Sequence, residues 1–422
     1  MPFMNRQNLL LCLGGDARTL PLWNPNFLLR WAPIVLCGVL SFSFAPRTGA
    51  EELVKLHGVT DEAIRTVLAD GSGISGPGKP VVGDGWRGTR SGRTLFGPIT
   101  DSLRPELASA KVVTDGKIPR IKPIWDVHMR DAVIILGGDG NYYMTGSTGD
   151  NVWKHNTGIE LYRSADLQKW DYMGVVWSIE KDGGWEKTWS GYHRKPDPIR
   201  AVWAPEIHYI HKNYYICLSM ANMGCSILKS TTGKPEGPYI HATSREEPLI
   251  GGIDPTLFED DDGAVYFSKA GGQQLVRMKD DLSGFAEKPR SIQVLDPDID
   301  PALHHRSCKS RNYKDLGFEG VTMFKANGKY YLAGTDLYQG CYTMCVGIAD
   351  NIYGPYRLRH PSALCNGGTG FFRAKDGSWY SCFFGGDANA PWRERPGIIR
   401  MEFDSEGRVM VAKTQPDFIL VK

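Results

Sequence analysis

Three acids stand at the head of a repeated hairpin in this chain. Arg130-Asp131 opens the apolar run Val133 to Leu136 and the return through Tyr142-Tyr143. Gly252-Ile253-Asp254-Pro255 opens Thr256 to Phe258 and the return through Val265-Tyr266. Phe318-Glu319-Gly320 opens Val321 to Phe324 and the return through Tyr330-Tyr331. A carboxylate at equivalent places in three repeats implies a radial fold that gathers all three at one centre. Acids at close quarters do not all ionise together, and a set split between protonated and ionised members suits general acid–base catalysis. A lone Asp ahead of a strand usually caps a turn, and Asp260, Asp261 and Asp262 take that reading. Chance would scatter acids over the hairpin, so Asp131, Asp254 and Glu319 are the catalytic candidates.

The hairpin that positions these acids recurs five times. Its centres are Asn141-Tyr142-Tyr143, Asn213-Tyr214-Tyr215, Ala264-Val265-Tyr266, Lys329-Tyr330-Tyr331 and Ser378-Trp379-Tyr380. Four preceding turns are Asp139-Gly140, Asp262-Gly263, Asn327-Gly328 and Asp376-Gly377, with His211-Lys212 as the fifth. Asp-Gly and Asn-Gly pairs favour tight hairpins because Gly tolerates positive φ. A strand–turn–strand signature follows some hairpins, at 159–170, 226–239 and 346–356. Five four-stranded units predict an all-β, five-bladed β-propeller over residues 125–422, which leaves few strand edges exposed. The centres are 72, 51, 65 and 49 residues apart. Insertions between blades 1 and 2 and between blades 3 and 4 are therefore expected to build one rim of a pocket.

Composition agrees with this class. A chain of 422 residues can bury a large core, and 49 Gly, 26 Pro and 11% aromatic residues favour all-β over helical or alternating architectures. The net charge is +2; residues 1–50 hold four Arg against one Asp, so the rest carries −1. No basic run of the kind that binds nucleic acid is present. Ten of the twelve Trp lie beyond residue 50, where flat rings serve a core or a sugar face.

Arg30, the apolar run Trp31 to Ala45 and Arg47-Thr48-Gly49-Ala50 follow the order of an export signal. The run is shorter than the ~20 residues of a stable membrane span. Cleavage is expected near Ala50, making 1–50 a leader and the mature chain secreted or periplasmic. Residues 51–124 read as an N-terminal helical and extended arm. Thr60 caps a helix with Ile64, Val67 and Leu68 on one face and Gly71 as its stop. The Gly-, Arg- and Pro-rich stretch Gly71 to Pro98 is expected to wrap the surface or a neighbouring subunit, which points to a homodimer. Seven cysteines follow the leader; an odd number cannot pair fully and no spacing suits zinc, so several in strand-like segments are expected as buried thiols, with one bridge left open.

Four motifs in order, Arg130-Asp131, Trp203-Ala204-Pro205-Glu206, Ile253-Asp254-Pro255-Thr256 and Phe318-Glu319-Gly320, resemble the blade motifs of glycoside hydrolase family 43. The resemblance covers roughly residues 125–405. It implies an inverting glycosidase acting on arabinose-, xylose- or galactose-containing polysaccharides or oligosaccharides. Asp131 would be the general base, Glu319 the general acid and Asp254 the modulator of the acid's pKa. Inversion sets base and acid about 6.5–9.5 Å apart to admit a water. A third carboxylate near Glu319 would keep it protonated by repulsion while Asp131 stays ionised.

Further substrate contacts are implied at Trp203, as the floor of the sugar pocket or a core residue, and at His128 and Arg130, which touch a hydroxyl or pack beside the base. Arg393 or Arg395 would bind a carboxylate or sulfate on the sugar, with a surface salt bridge as the plainer reading for one of them. Glu206 reads as a structural hydrogen-bonding residue.

Two departures from the family pattern bear on the site. Ala132 follows the base where the family has Pro, which alters backbone stiffness more than chemistry. Asn366-Gly367-Gly368-Thr369-Gly370 stands in blade 5, where the family carries a Gly-His pair whose His helps hold an axial calcium or water. No cofactor or metal is therefore expected, and Thr369 is the candidate holder of a water. The N-terminal arm resembles the extensions of the related family 117 anhydrogalactosidases, which makes algal galactans the second choice of substrate. A glycan-binding propeller without turnover is the alternative class, favoured by the missing His and opposed by the intact acid trio.

Overall fold

A computed structural model describes residues 122–125, 127–148, 156, 158–188, 201–221, 224–295, 316–338, 341–363, 366–368, 370–384 and 395–420. The leader, nearly all of the N-terminal arm, much of both long insertions, Thr369 and Arg393 lie outside the described residues.

Five sheets, each antiparallel and built on four strands in sequence order, form a five-bladed β-propeller. Blade 1 holds β1 (Arg130–Leu136), β2 (Tyr142–Ser147), β3 (Ile159–Ser164) and β4 (Asp171–Trp177). Blade 2 holds β5 (Val202–Ile210), β6 (Asn213–Met220), β7 (Gly224–Ser230) and β8 (Tyr239–His241), with β9 (Ile250–Gly251) added on β7. Blade 3 holds β10 (Thr256–Glu259), β11 (Val265–Ser268), β12 (Gln274–Arg277) and β13 (Arg290–Ser291). Blade 4 holds β14 (Glu319–Ala326), β15 (Lys329–Tyr338), β16 (Cys341–Ala349) and β17 (Arg357–Pro361). Blade 5 holds β18 (Phe371–Arg373), β19 (Trp379–Phe383), β20 (Gly397–Phe403) and β21 (Val409–Val411). The first strands meet around the axis: β1 against β5 and β18, β10 against β5 and β14, and β14 against β18.

The hairpin turns follow their residues. Asn327 (φ 51°) and Gly328 (φ 72°) both take left-handed backbone, as a tight hairpin requires. His211 (φ 49°) and Lys212 (φ 58°) do the same without a glycine. There the His211 ring nitrogen Nε2 lies 2.8 Å from the Gly263 carbonyl of blade 3, which supports the turn from outside.

The repeated Tyr pairs join the blades, because successive strand side chains face opposite sides of a sheet. Tyr142 meets Phe372 of blade 5 edge-on at 6.2 Å, and Tyr143 meets Tyr214 of blade 2 at 5.7 Å. In blade 4, Tyr330 meets Phe258 of blade 3 and Tyr331 meets Phe403 of blade 5. The core is therefore a set of apolar layers between blades, each buried aromatic worth about 1.5–3 kcal/mol. Cys217, Cys225, Cys345 and Cys382 are buried within these layers, as expected for strand cysteines. The insertion after blade 1 forms helix α1 (Ile179–Asp182), capped by Ser178, and then carries buried Glu186 onto His241 of blade 2 at 3.0 Å. No helix among the described residues is long and apolar enough to cross a membrane.

Candidate active site

Every inner strand enters the sheet through a kink. Asp131 (φ 52°), Ala204 (φ 44°), Asp254 (φ 53°), Gly320 (φ 55°) and Gly368 (φ 77°) are left-handed, one per blade. In blades 1, 2 and 4 the pairing register slips by one residue there. Arg130 pairs with Ser147 and Val133 with Thr145; Trp203 pairs with Ser219 and Glu206 with Cys217; Glu319 pairs with Thr335 and Val321 with Gly334. Such bulges re-aim side chains next to functional sites. Asp tolerates this backbone better than most residues, which suits Asp131 and Asp254. At Gly320 no side chain fits, since a Cβ would stand 2.6 Å from Thr335 Oγ1.

This register corrects one expectation. Asp131 and Asp254 occupy equivalent places, but Glu319 does not. Gly320 holds their position in blade 4, and Glu319 precedes it, in line with Arg130 and Trp203. The kink in blade 4 leaves no room for a side chain, so the acid sits one residue earlier on a longer side chain.

The kinks surround one cleft lined by Asp131, Val133, Ala204, Glu206, Asp254 and Gly320, with Val321 and Gly368; Glu319 is not among its lining residues. Asp131 accepts a hydrogen bond from Ser147 Oγ at Oδ2, 2.7 Å away. Asp254 accepts the Gly320 N–H at Oδ2, also at 2.7 Å. Burial pushes the Asp254 carboxyl up to about 8, helped by repulsion from Asp131 and Glu319 and opposed by the Gly320 N–H and the Arg130 guanidinium. The sequence reading placed the raised pKa on Glu319 through Asp254; in the structure Asp254 itself carries an upward shift.

Glu206 lies deeper, 8% exposed, and accepts from Thr256 Oγ1 at 3.0 Å. Burial raises it to about 8, with a contribution from Asp254. His208 Nε2 stands 3.7 Å from Glu206 and accepts the Leu257 N–H at 3.4 Å, and burial lowers its pKa to about 3. Both groups are neutral at pH 7, so the contact is not an ion pair. Glu206 is the structural hydrogen-bonding residue read from the sequence, yet it also lines the cleft.

The remaining candidates fall at different depths. The Arg130 guanidinium lies over the Phe384 ring, 4.5 Å from its centroid. Trp203 is half-buried at the mouth of β5, and its carbonyl accepts from Ser219 Oγ at 3.1 Å. His128 is a buried position, 3% exposed, and Arg395 is 7% exposed, so neither is a surface residue. Ser147 was missed by sequence reasoning. Its signal is the pattern Tyr-Tyr followed four residues later by Ser or Thr, seen in Tyr142-Tyr143 to Ser147, Tyr214-Tyr215 to Ser219 and Tyr330-Tyr331 to Thr335.

The profile of Glycosyl hydrolases family 43 matches residues 121–409. The chain belongs to this family. It is 28% identical over 224 residues to a β-xylosidase of Xylanibacter ruminicola, covering 43% of this chain and 64% of that protein. It is 33% identical over 222 residues to a β-D-galactofuranosidase of Aspergillus niger, covering 48% of this chain and 52% of the other. The chain thus spans less than two thirds of either relative. Among solved structures, a family 43 β-xylosidase/α-arabinofuranosidase from a compost microbial metagenome superposes with a TM-score of 0.52 at 19% identity, over 70% of this chain and 98% of that one.

The resemblance places a His in blade 5 that helps hold an axial calcium or water. Here Asn366 spends its side chain inward, accepting from the Met344 N–H and donating to Ser362 and Ser381. Gly367 and Gly368 bring no side chain, and the space a Cβ would need is taken by Tyr342 and Phe384. Among the described residues no group of three or more His, Cys, Asp or Glu is placed to hold a metal ion. The described residues do not fit a metal held from blade 5, and no step is derived through one.

Proposed function

We propose that the chain is an exported inverting glycosidase acting on xylose-, arabinose- or galactose-containing glycans. One observation carries the reading: in a family 43 propeller, Asp131 and Asp254 at equivalent kinks line one cleft, and the charge of Glu319, beside a third kink, bears on Asp254. Asp131 takes a proton from water, whose oxygen attacks the anomeric carbon. Glu319 protonates the glycosidic oxygen as its bond to that carbon breaks. Burial and repulsion from Asp131 and Glu319 raise the Asp254 carboxyl to about 8, which supports a proton held among the three acids near neutral pH. Asp254 is the member that keeps the proton in the cluster.

The names of the relatives support pentose or galactofuranose substrates in preference to algal galactans. Export rests on the charge–apolar–small order of residues 30–50. The test is sugar release by the full chain and by Glu319→Gln, on xylosides, arabinofuranosides, galactofuranosides and the matching oligosaccharides. Release that falls at least about a hundredfold in the variant is expected for loss of a general acid. Glycan binding without release in both proteins would overturn the reading in favour of a binding propeller.

A further inference from the structure

Three of the five kinks are latched blade to blade by one repeated contact. The N–H of the left-handed residue reaches a hydroxyl on the second strand of the preceding blade. Ala204 donates to Ser147 at 2.8 Å, Asp254 to Ser219 at 3.4 Å, and Gly368 to Thr335 at 2.7 Å. Blade 3 breaks the series. Ala270 stands where the hydroxyl belongs, with its N–H on the Ile253 carbonyl, and Gly320 donates instead to the Asp254 carboxylate.

The three hydroxyls spend their single hydrogen differently. Ser219 donates to the Trp203 carbonyl at 3.1 Å, and Thr335 lies 3.9 Å from Met344 Sδ. Ser147 donates to Asp131 Oδ2 at 2.7 Å. Ser147 thus accepts the Ala204 N–H and donates to Asp131 Oδ2, a bond that is strongest when Asp131 is ionised. A hydrogen bond to the charged form favours that form and lowers the pKa.

We infer that Ser147 is a positioning residue, one that favours the ionised form of Asp131 and fixes its carboxylate through Oδ2 for taking a proton from water. The inference rests on the base role proposed above for Asp131. In the step, a water O–H bond breaks, its proton goes to the Asp131 carboxylate, and the water oxygen bonds the anomeric carbon. The pair of the glycosidic C–O bond leaves with the oxygen that Glu319 protonates. Ser147 keeps its bond throughout, and through Ala204 the base is tied to the joint between blades 1 and 2. Asp131 interacts electrostatically with Asp254 from blade 3 and Tyr342 from blade 4, and both of these also feel Arg130, next to Asp131 on its own strand, and Glu319 of blade 4.

The test compares the full chain with Ser147→Ala and Ser147→Thr. Threonine keeps the donor, and blade 4 already carries Thr335 at the equivalent position, where it accepts the Gly368 N–H. In Ser147→Ala, kcat is expected to fall about tenfold or more with KM little changed. The acid limb of the pH profile should move up by about one unit, because a lost donor raises the carboxyl pKa. Ser147→Thr should restore both. A fall in kcat with an unmoved acid limb would make Ser147 merely structural and overturn the inference.

A second readout needs no substrate. The ¹³C carboxyl titration of Asp131, assigned by difference against Asp131→Asn, should move upward in Ser147→Ala. An unmoved titration overturns the inference even in an active enzyme. A wild-type chain silent on every sugar, with the titration moved, would defeat the hydrolase reading alone.

Discussion

Gly320 of blade 4 donates its N–H to Asp254 Oδ2 at 2.7 Å, so an acid on one blade is held by the backbone of the next. That N–H points at the carboxylate because Gly320 is left-handed, with φ 55°. Gly320→Ala should therefore disturb two things at once. The added Cβ would meet Thr335 Oγ1, and L-residues lose about 1–2 kcal/mol in this backbone region. Chemical denaturation should show a loss of that order, while kcat falls further than stability alone explains. A variant with native stability and native kcat would show that the Asp254 anchor is dispensable.

On the proposed mechanism, Asp254 is expected to set the upper edge of activity. Its carboxyl is raised to about 8 by burial and by repulsion from Asp131 and Glu319. With asparagine in its place, two acids share the cleft instead of three, and the last proton leaves at lower pH. Asp254→Asn should move the basic limb of the kcat profile downward and lower kcat at its optimum. A basic limb that stays put would mean Asp254 does not hold the cluster's proton.

Much of this was legible in the sequence. Turn pairs such as Asn327-Gly328 and the Tyr-Tyr repeats fixed the number of blades and the order of strands, because backbone conformation and alternation are local properties. Asp131 and Asp254 were legible for the same reason, each heading an inner strand. The offset of Glu319 was not, since it depends on where the register slips against Thr335. The seat of the raised pKa was also hidden, because it arises from burial that only the closed ring of blades creates. Ser147 belongs to the same class: its partners, Asp131 and Ala204, lie 16 and 57 residues away.

Glu206 ties stability to pH. Burial first, and then Asp254, raise its carboxyl to about 8 from an ordinary 4.5. Between those values the folded chain holds a proton that the unfolded chain has lost. Its contribution to stability is therefore complete below about pH 4.5 and declines as pH rises towards 8. Glu206→Gln stays neutral at every pH and can still accept from Thr256. Its stability should fall less than that of the wild type between pH 5 and 8 in denaturant titrations. Parallel curves for the two proteins would show that Glu206 ionises normally in the fold.

Arg130 supplies the positive charge beside the acids, with its guanidinium over Phe384 at 4.5 Å. It opposes the upward shift of Asp254, so its removal should raise the carboxyl pKa values of the cluster. Arg130→Met keeps an apolar stem on the Phe384 ring but loses the charge, and both limbs of the pH profile should move to higher pH. Arg130→Lys keeps the charge and should hold both limbs near their native positions, although the planar stack is lost. If Arg130 served only to bind a substrate hydroxyl, both variants would raise KM and leave the limbs unmoved. The direction of the two limbs, read on one substrate with all three proteins, separates an electrostatic role from a contact role.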